Sequence, residues 1–246
     1  MPGMRDIAWE RPQLCFALDA DDISKNLRLA EETAQVVDIL KINDDAVDES
    51  GLEAVVTPFL QFGLPIFVDM KMHKGKRTMS ARALRAAKLG VALVNAFAEA
   101  DRLLEGPAEA LRGTNTGLLA VTVLTHQTED FCRRVYRRSV NDTVKMFSNM
   151  ALNNGADGII LPVPSLKSAG LHLIKATPGI RPLWSQKDAN DQELTGTPTE
   201  AVLGGSNILI CGSPIAKYPD GPAAGAKRIR DEMMEAYLKR MVEDDS

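Results

Sequence analysis

The chain has 246 residues, close to the length of one eightfold βα barrel and enough to bury a single large core. A formal net charge of −4 excludes a general attraction to nucleic acid or anionic lipid, and 5% aromatic residues leave too few rings for a single-strand stacking platform. Three cysteines (Cys15, Cys132, Cys211) stand apart with no CxxC pair, which excludes a zinc knuckle or disulfide framework and suits a reducing cytoplasm.

In chain order, Met1–Asp6 lacks the apolar stretch of a signal peptide, and residues 1–10 read as an N-terminal extension. Short apolar runs with strand character follow at Leu14–Leu18, Val36–Ile42, Leu64–Val68, Val91–Asn95, Leu118–Leu124, Gly158–Leu161, Leu173–Thr177 and Ile208–Cys211. Helical segments alternate with them: Asp22–Ala34, Glu53–Phe62, Thr78–Leu89, Ala98–Leu111, Val140–Asn153, Ser165–Leu171, Pro198–Gly204 and Gly221–Lys239. Ser165 and Thr197 stand where capping residues are expected, and Gly90, Gly155 and Gly205 close three of the helices. Continuous apolar strands separated by helices predict a parallel sheet covered by helices, and about eight such units predict a closed (β/α)₈ barrel in one domain, 1–246. Leu183–Gly196 is the longest irregular stretch and reads as a lid. Residues 241–246 read as a frayed acidic tail, and no apolar run reaches bilayer length.

Barrel enzymes carry their chemistry at the C-terminal ends of the strands. Here those ends hold Asp19, Lys41, Asp69 with Lys71, Asn95, Thr125 to Thr128, Pro162, Pro178-Gly179 and Gly212-Ser213. Asp69 and Lys71 are two residues apart, so a strand turns both to one face. A carboxylate beside an ammonium suits a site where a carbanion forms and is protonated. Two acids and two lysines converging on one rim must be mutually paired or solvated in a pocket. His73, His126 and His172 lack metal-ligand spacing, and His73 reads as a packing residue or a support behind the site. Arg133, Arg134, Arg137 and Arg138 read as a solvated helix face, and Met146 and Met150 as core.

Several motifs in order carry a resemblance: Ala17-Leu18-Asp19, Leu40-Lys41-Ile42, Asp69-x-Lys71 with Thr78, Leu124-Thr125 with Thr128, Thr177-Pro178-Gly179-Ile180-Arg181-Pro182 and Gly212-Ser213-Pro214-Ile215. Together they resemble the orotidine 5′-monophosphate decarboxylase superfamily over nearly the whole chain. The resemblance implies a cofactor-free, metal-free carbon–carbon lyase, a decarboxylase of pyrimidine biosynthesis or a relative of it, acting on a small anionic substrate. It implies a cytoplasmic homodimer with the site completed across the interface. It assigns Asp19 and Lys41 to sugar hydroxyls and the charge network, Asp69 to the substrate carboxylate and Lys71 to the proton. Thr128 would touch the base, and Asn95, Pro178, Gly179, Gly212 and Ser213 would complete the substrate site. Thr78 and Lys74 would reach the neighbouring subunit's site.

Three positions depart from that pattern. Lys74 stands where the family has a second aspartate, which changes the composite site from two acids and two bases to one acid and three bases. Ser213 replaces an arginine that clamps phosphate, and Leu183 stands where relatives commonly place a phosphate-binding glutamine. The departures point away from orotidine monophosphate toward an orotidine-like or other carboxylated anion, with Lys74 reshaping specificity. Orotidine monophosphate decarboxylase itself, imine chemistry on Lys71 or Lys74, and a non-catalytic ligand-binding barrel are the competing expectations.

Overall fold

The apolar runs lie side by side in chain order and curl until the last meets the first. The computed structural model describes residues 2–43, 45, 50–170, 172–185 and 193–244. Its strands are β1 (Gln13–Leu18), β2 (Ile39–Asn43), β3 (Ile66–Met72), β4 (Leu93–Phe97), β5 (Gly117–Val121), β6 (Gly158–Ile160), β7 (Ile174–Thr177) and β8 (Ile208–Cys211). Each pairs in parallel with the next, and β8 returns to β1 with Gln13 opposite Ile208, closing the (β/α)₈ barrel.

Strand alternation divides the core in two. Cys15, Ala17, Ile39, Phe67, Leu93, Leu119 and Ile208 point inward and fill the barrel. Their neighbours Leu14, Phe16, Leu40, Val68, Val94 and Leu118 point outward and pack under the helices. The barrel is therefore packed with side chains rather than hollow. Its lower mouth is stopped by the N-terminal segment, where Met4, Ile7 and Trp9 join the inner cluster. The Met4 amide donates to Asn115 O at 2.8 Å. Gly117 lies directly beneath this plug, where a Cβ would displace the Met4 side chain.

The helices follow the expected alternation with local differences. Pro58 lies in the first turn of a 3-10 segment, so Glu53–Phe62 resolves into an α-helix at Leu52–Val56 and a 3-10 helix at Thr57–Phe62. Ala98–Leu111 divides likewise into a 3-10 helix, Ala98–Leu104, and an α-helix, Glu105–Leu111, around Asp101 at φ 48°. Ser165 is not a cap: Pro162 occupies that position before the 3-10 helix Val163–Ser168, and Ser165 is buried. Thr197 does cap, in a reciprocal box with Glu200 ahead of the helix Pro198–Leu203. Gly90, Gly155 and Gly205 adopt the left-handed conformation that ends helices, at φ 77°, 80° and 89°. Helices at Glu129–Tyr136 and Ser213–Ala216 were not expected. The final helix, Pro222–Asp244, carries regular structure into the stretch expected to fray, and residues 245 and 246 lie outside the described residues. Arg133 and Arg134 pair with Glu129 and Asp130 one turn back on an exposed face. Among the described residues no helix is long and apolar enough to cross a membrane.

One acid ties the two ends of the chain together. Asp38, just before β2, takes Arg11 at 2.7 Å, Arg230 of the last helix at 3.2 Å and the Leu14 amide at 2.8 Å. Asp38 is largely buried while both arginines stay partly exposed. Removing it strands two guanidiniums and a β1 amide. Asp38→Ala is expected to cost about 3 kcal/mol, read from urea unfolding monitored by circular dichroism.

Candidate active site

The inward-facing positions turn polar at the upper ends of β1 to β4. Continuing the odd-numbered series brings Asp19, Lys41, Asn43, Asp69 and Asn95 to one pocket of about 710 Å³, which Lys71 also lines and which is within the range of small-molecule sites. Lys41 is buried at 6% exposure. Its Nζ lies 3.0 Å from Asp69 Oδ2 and 3.4 Å from Asp19 Oδ1, and it donates to Asn43 Oδ1. Asn43 Nδ2 donates in turn to Asp19 Oδ1 at 2.7 Å. Lys71 Nζ lies 3.1 Å from Asp69 Oδ2, so Asp69 joins the two lysines. Asn95 Nδ2 donates to the other oxygen of Asp69 at 2.7 Å.

The charges hold one another ionised. Burial alone would lift the Asp69 carboxyl, but Lys41, Lys71 and the Asn95 bond outweigh it and bring its pKa down to about 2. Burial alone would lower Lys41, but Asp69 and Asp19 carry it above the ordinary lysine value. Lys71 differs from Lys41 in reach: its side chain is 32% exposed against 7%. The inner lysine is a fixed charge, and the outer one can approach a bound molecule.

Lys71 does not arrive there by plain strand alternation. The β3–β4 register runs Phe67↔Leu93 and Val68↔Val94, then resumes at Met72↔Ala96. The intervening β3 residues bulge, and Lys71 adopts φ 41°.

The opposite wall comes from β5, β7 and β8. Pro178, Gly179, Gly212 and Ser213 line it, with Thr125 and His126. Thr128 does not line the pocket. Its hydroxyl accepts the Phe131 amide at 3.2 Å and caps the helix Glu129–Tyr136, the usual use of threonine before two acids. Lys74 and Thr78 are exposed beyond β3, outside the pocket of their own chain. His73 is half-exposed, with its ring 5.9 Å from that of Phe97 and Nδ1 3.5 Å from Glu99 Oε1.

Residues missed in the sequence include Asn43, Arg181 and Lys217. Asn43 shares the inward phase of Lys41. Arg181 lies inside the Thr177–Pro182 motif and lines the pocket, whereas Leu183 is 75% exposed and does not. Lys217 follows Ser213 by one helical turn, and both line the pocket. Among the described residues neither Arg181 nor Lys217 pairs with an acid. The stretch Leu183–Gly196, expected to be a lid, is tied at both ends. Trp184 packs edge-on against Tyr218 at 5.0 Å under the Arg228 guanidinium, and the Leu194 amide donates to Thr125 O at 2.9 Å. Its middle, 186–192, lies outside the described residues.

Asp69 gives the network a pH signature. Its folded pKa lies below the unfolded value near 4, so its contribution is complete above about pH 4 and is lost as pH falls toward 2. Unfolding free energy measured in denaturant is expected to drop by on the order of 2 kcal/mol across that window, and Asp69→Asn to flatten this part of the profile.

Comparison with known proteins identifies the chain's relatives. The family model described as orotidine 5′-phosphate decarboxylase / HUMPS family matches residues 12–229. Orotidine 5′-phosphate decarboxylase of Geobacter sulfurreducens is 34% identical over 235 residues, covering 91% of this chain and 97% of that protein. The Caulobacter sp. enzyme of the same name is 31% identical over 227 residues, covering 90% and 97%. The crystal structure of orotidine 5′-phosphate decarboxylase from Lactobacillus acidophilus superposes with a TM-score of 0.75 at 27% identity, covering 91% of this chain and 99% of that one. These relatives are carboxy-lyases that share both the barrel and its length. The chain therefore belongs to the orotidine 5′-phosphate decarboxylase / HUMPS family.

Proposed function

We propose that the pocket carries out cofactor-free decarboxylation of an orotidine-like, carboxylated anionic substrate, with Lys71 as the proton donor. The observation that carries this reading is the position of the Lys71 ammonium, 3.1 Å from a buried Asp69 carboxylate and still open to the pocket. A substrate carboxylate lodged beside Asp69 meets a fixed negative charge that is relieved when neutral carbon dioxide leaves. The electron pair of the broken carbon–carbon bond stays on the ring carbon and takes a proton from Lys71. The amine regains its proton from solvent. Lys41 holds Asp69 ionised without entering the reaction, so the field is set before the substrate arrives.

The positive end of the pocket favours a phosphorylated substrate, and orotidine 5′-monophosphate, the substrate named for the relatives, is the first to test. The arginine absent at position 213 has two cationic neighbours in Arg181 and Lys217, either of which can serve a phosphate. Lys74 and Thr78, exposed and outside their own chain's pocket, fit residues that complete the site of a second copy in a homodimer. There Lys74 would add a positive charge where the family has a negative one.

Incubation with orotidine 5′-monophosphate is expected to bleach the orotate absorbance. Lys71→Ala is expected to lower kcat by about 10³-fold, and equal rates for it and the wild type would remove Lys71 from its role. Lys217→Ala is expected to raise KM for the nucleotide by about 10-fold and to leave turnover of the nucleoside orotidine unchanged. Lys74→Asp is expected to raise kcat/KM for orotidine 5′-monophosphate by about 10-fold or more, measured by the same absorbance decay.

A further inference from the structure

Asn95 was expected to bind substrate, but both ends of its side chain are already engaged within the protein. It sits fully buried on β4, opposite the bulge in β3. The bulge withdraws the Lys71 amide from the sheet ladder, and Asn95 Oδ1 accepts it at 2.7 Å. Asn95 Nδ2 donates to Asp69 Oδ1 at 2.7 Å. The partners fix the amide's orientation, because the reverse would set an oxygen against a carboxylate and an N–H against an N–H.

Two consequences follow for the lysine. A left-handed backbone is costly for a residue with a side chain and persists only where its surroundings hold it. At Lys71, φ 41°, the Asn95 oxygen is the partner of the displaced amide. Engagement of Asp69 Oδ1 by Asn95 also sets the carboxylate's rotation, leaving Oδ2 to face Lys41 at 3.0 Å and Lys71 at 3.1 Å. One amide therefore governs the backbone that aims Lys71 and the anion that holds its ammonium.

We propose that Asn95 is a positioning residue for the proton donor, clamping the Lys71 bulge and the Asp69 carboxylate in one setting rather than binding substrate. The assignment rests on Lys71 being the proton donor. An alanine at 95 leaves the Lys71 amide and one carboxylate oxygen without their partner, so the ammonium is no longer held in one place. A small misplacement of a catalytic group costs about 10²-fold in rate.

The test compares wild type with Asn95→Ala by two readouts. With orotidine 5′-monophosphate, kcat is expected to fall by about 10²-fold while KM stays within about 3-fold, the pattern of an interaction used only in the transition state. Reductive methylation with formaldehyde and cyanoborohydride, read by peptide mass spectrometry, is expected to modify Lys71 about 5-fold faster in the variant. Exposed Lys145 supplies the unchanged internal reference. Asn95→Ser carries the same measurements if the alanine variant fails to fold. An unchanged kcat, a loss confined to KM, or unchanged Lys71 labelling each overturns the proposal. If the wild type does not turn the nucleotide over, the proposed function fails, and the labelling comparison alone decides the role of Asn95.

Discussion

A lysine ammonium buried inside a barrel is tolerable only when counter-charge and hydrogen bonds surround it. Lys41 meets that condition through Asp69, Asp19 and Asn43, and the upper half of the barrel is arranged around the requirement. Asp69 must lie close to Lys41, which fixes the top of β3. Asp19 must turn inward at the end of β1. The apolar layers below, among them Phe67 and Leu93, keep water from the underside of the network. Polar chemistry is thus confined to one end of the molecule, where the pocket opens.

Asp69 then does two things with one carboxylate. Through Lys41 it is a structural anion, held far below the usual carboxylate range. Through Lys71 it is the counter-ion of a cation that faces the pocket. In the proposed reaction, an anionic substrate beside it would set like charges together, with Lys41 and Lys71 offsetting the approach. At the far wall, Arg181 and Lys217 add positive charge that no acid among the described residues neutralises. The pocket therefore holds a paired cluster at one end and, among the described residues, two cations without an acid partner at the other.

The barrel was legible because the strands are short, mainly apolar runs and several helix ends carry a local signal, such as Thr197 before Pro198 or Gly155 after Asn153. The pairing of Asp69 with Lys71 was legible from their spacing. The bulge that makes the pairing work was not, since nothing in Asp69-Met70-Lys71 announces a left-handed residue. Asn43 was within reach, because it shares the phase of Lys41 by strand alternation. Thr128 was misassigned although its own neighbours, Glu129 and Asp130, mark a helix start. Arg181 and Lys217 depend on how the segments after β7 and β8 fold back over the rim, which no strand period predicts. Ser213 considered alone suggested that an anion site had been lost, yet Arg181 and Lys217 line the same pocket.

The grip of Arg11 and Arg230 on Asp38 bears on the order in which the molecule is made. Arg230 lies 192 residues beyond its partner and near the end of the chain. During synthesis, β1 emerges long before β8, the strand that must cover its free edge. Until then the growing sheet offers an open flank to other chains, with Asp38 held from one side alone. Because Arg230 follows β8 in the chain, its contact with Asp38 can form only after the strand that covers β1 has been made.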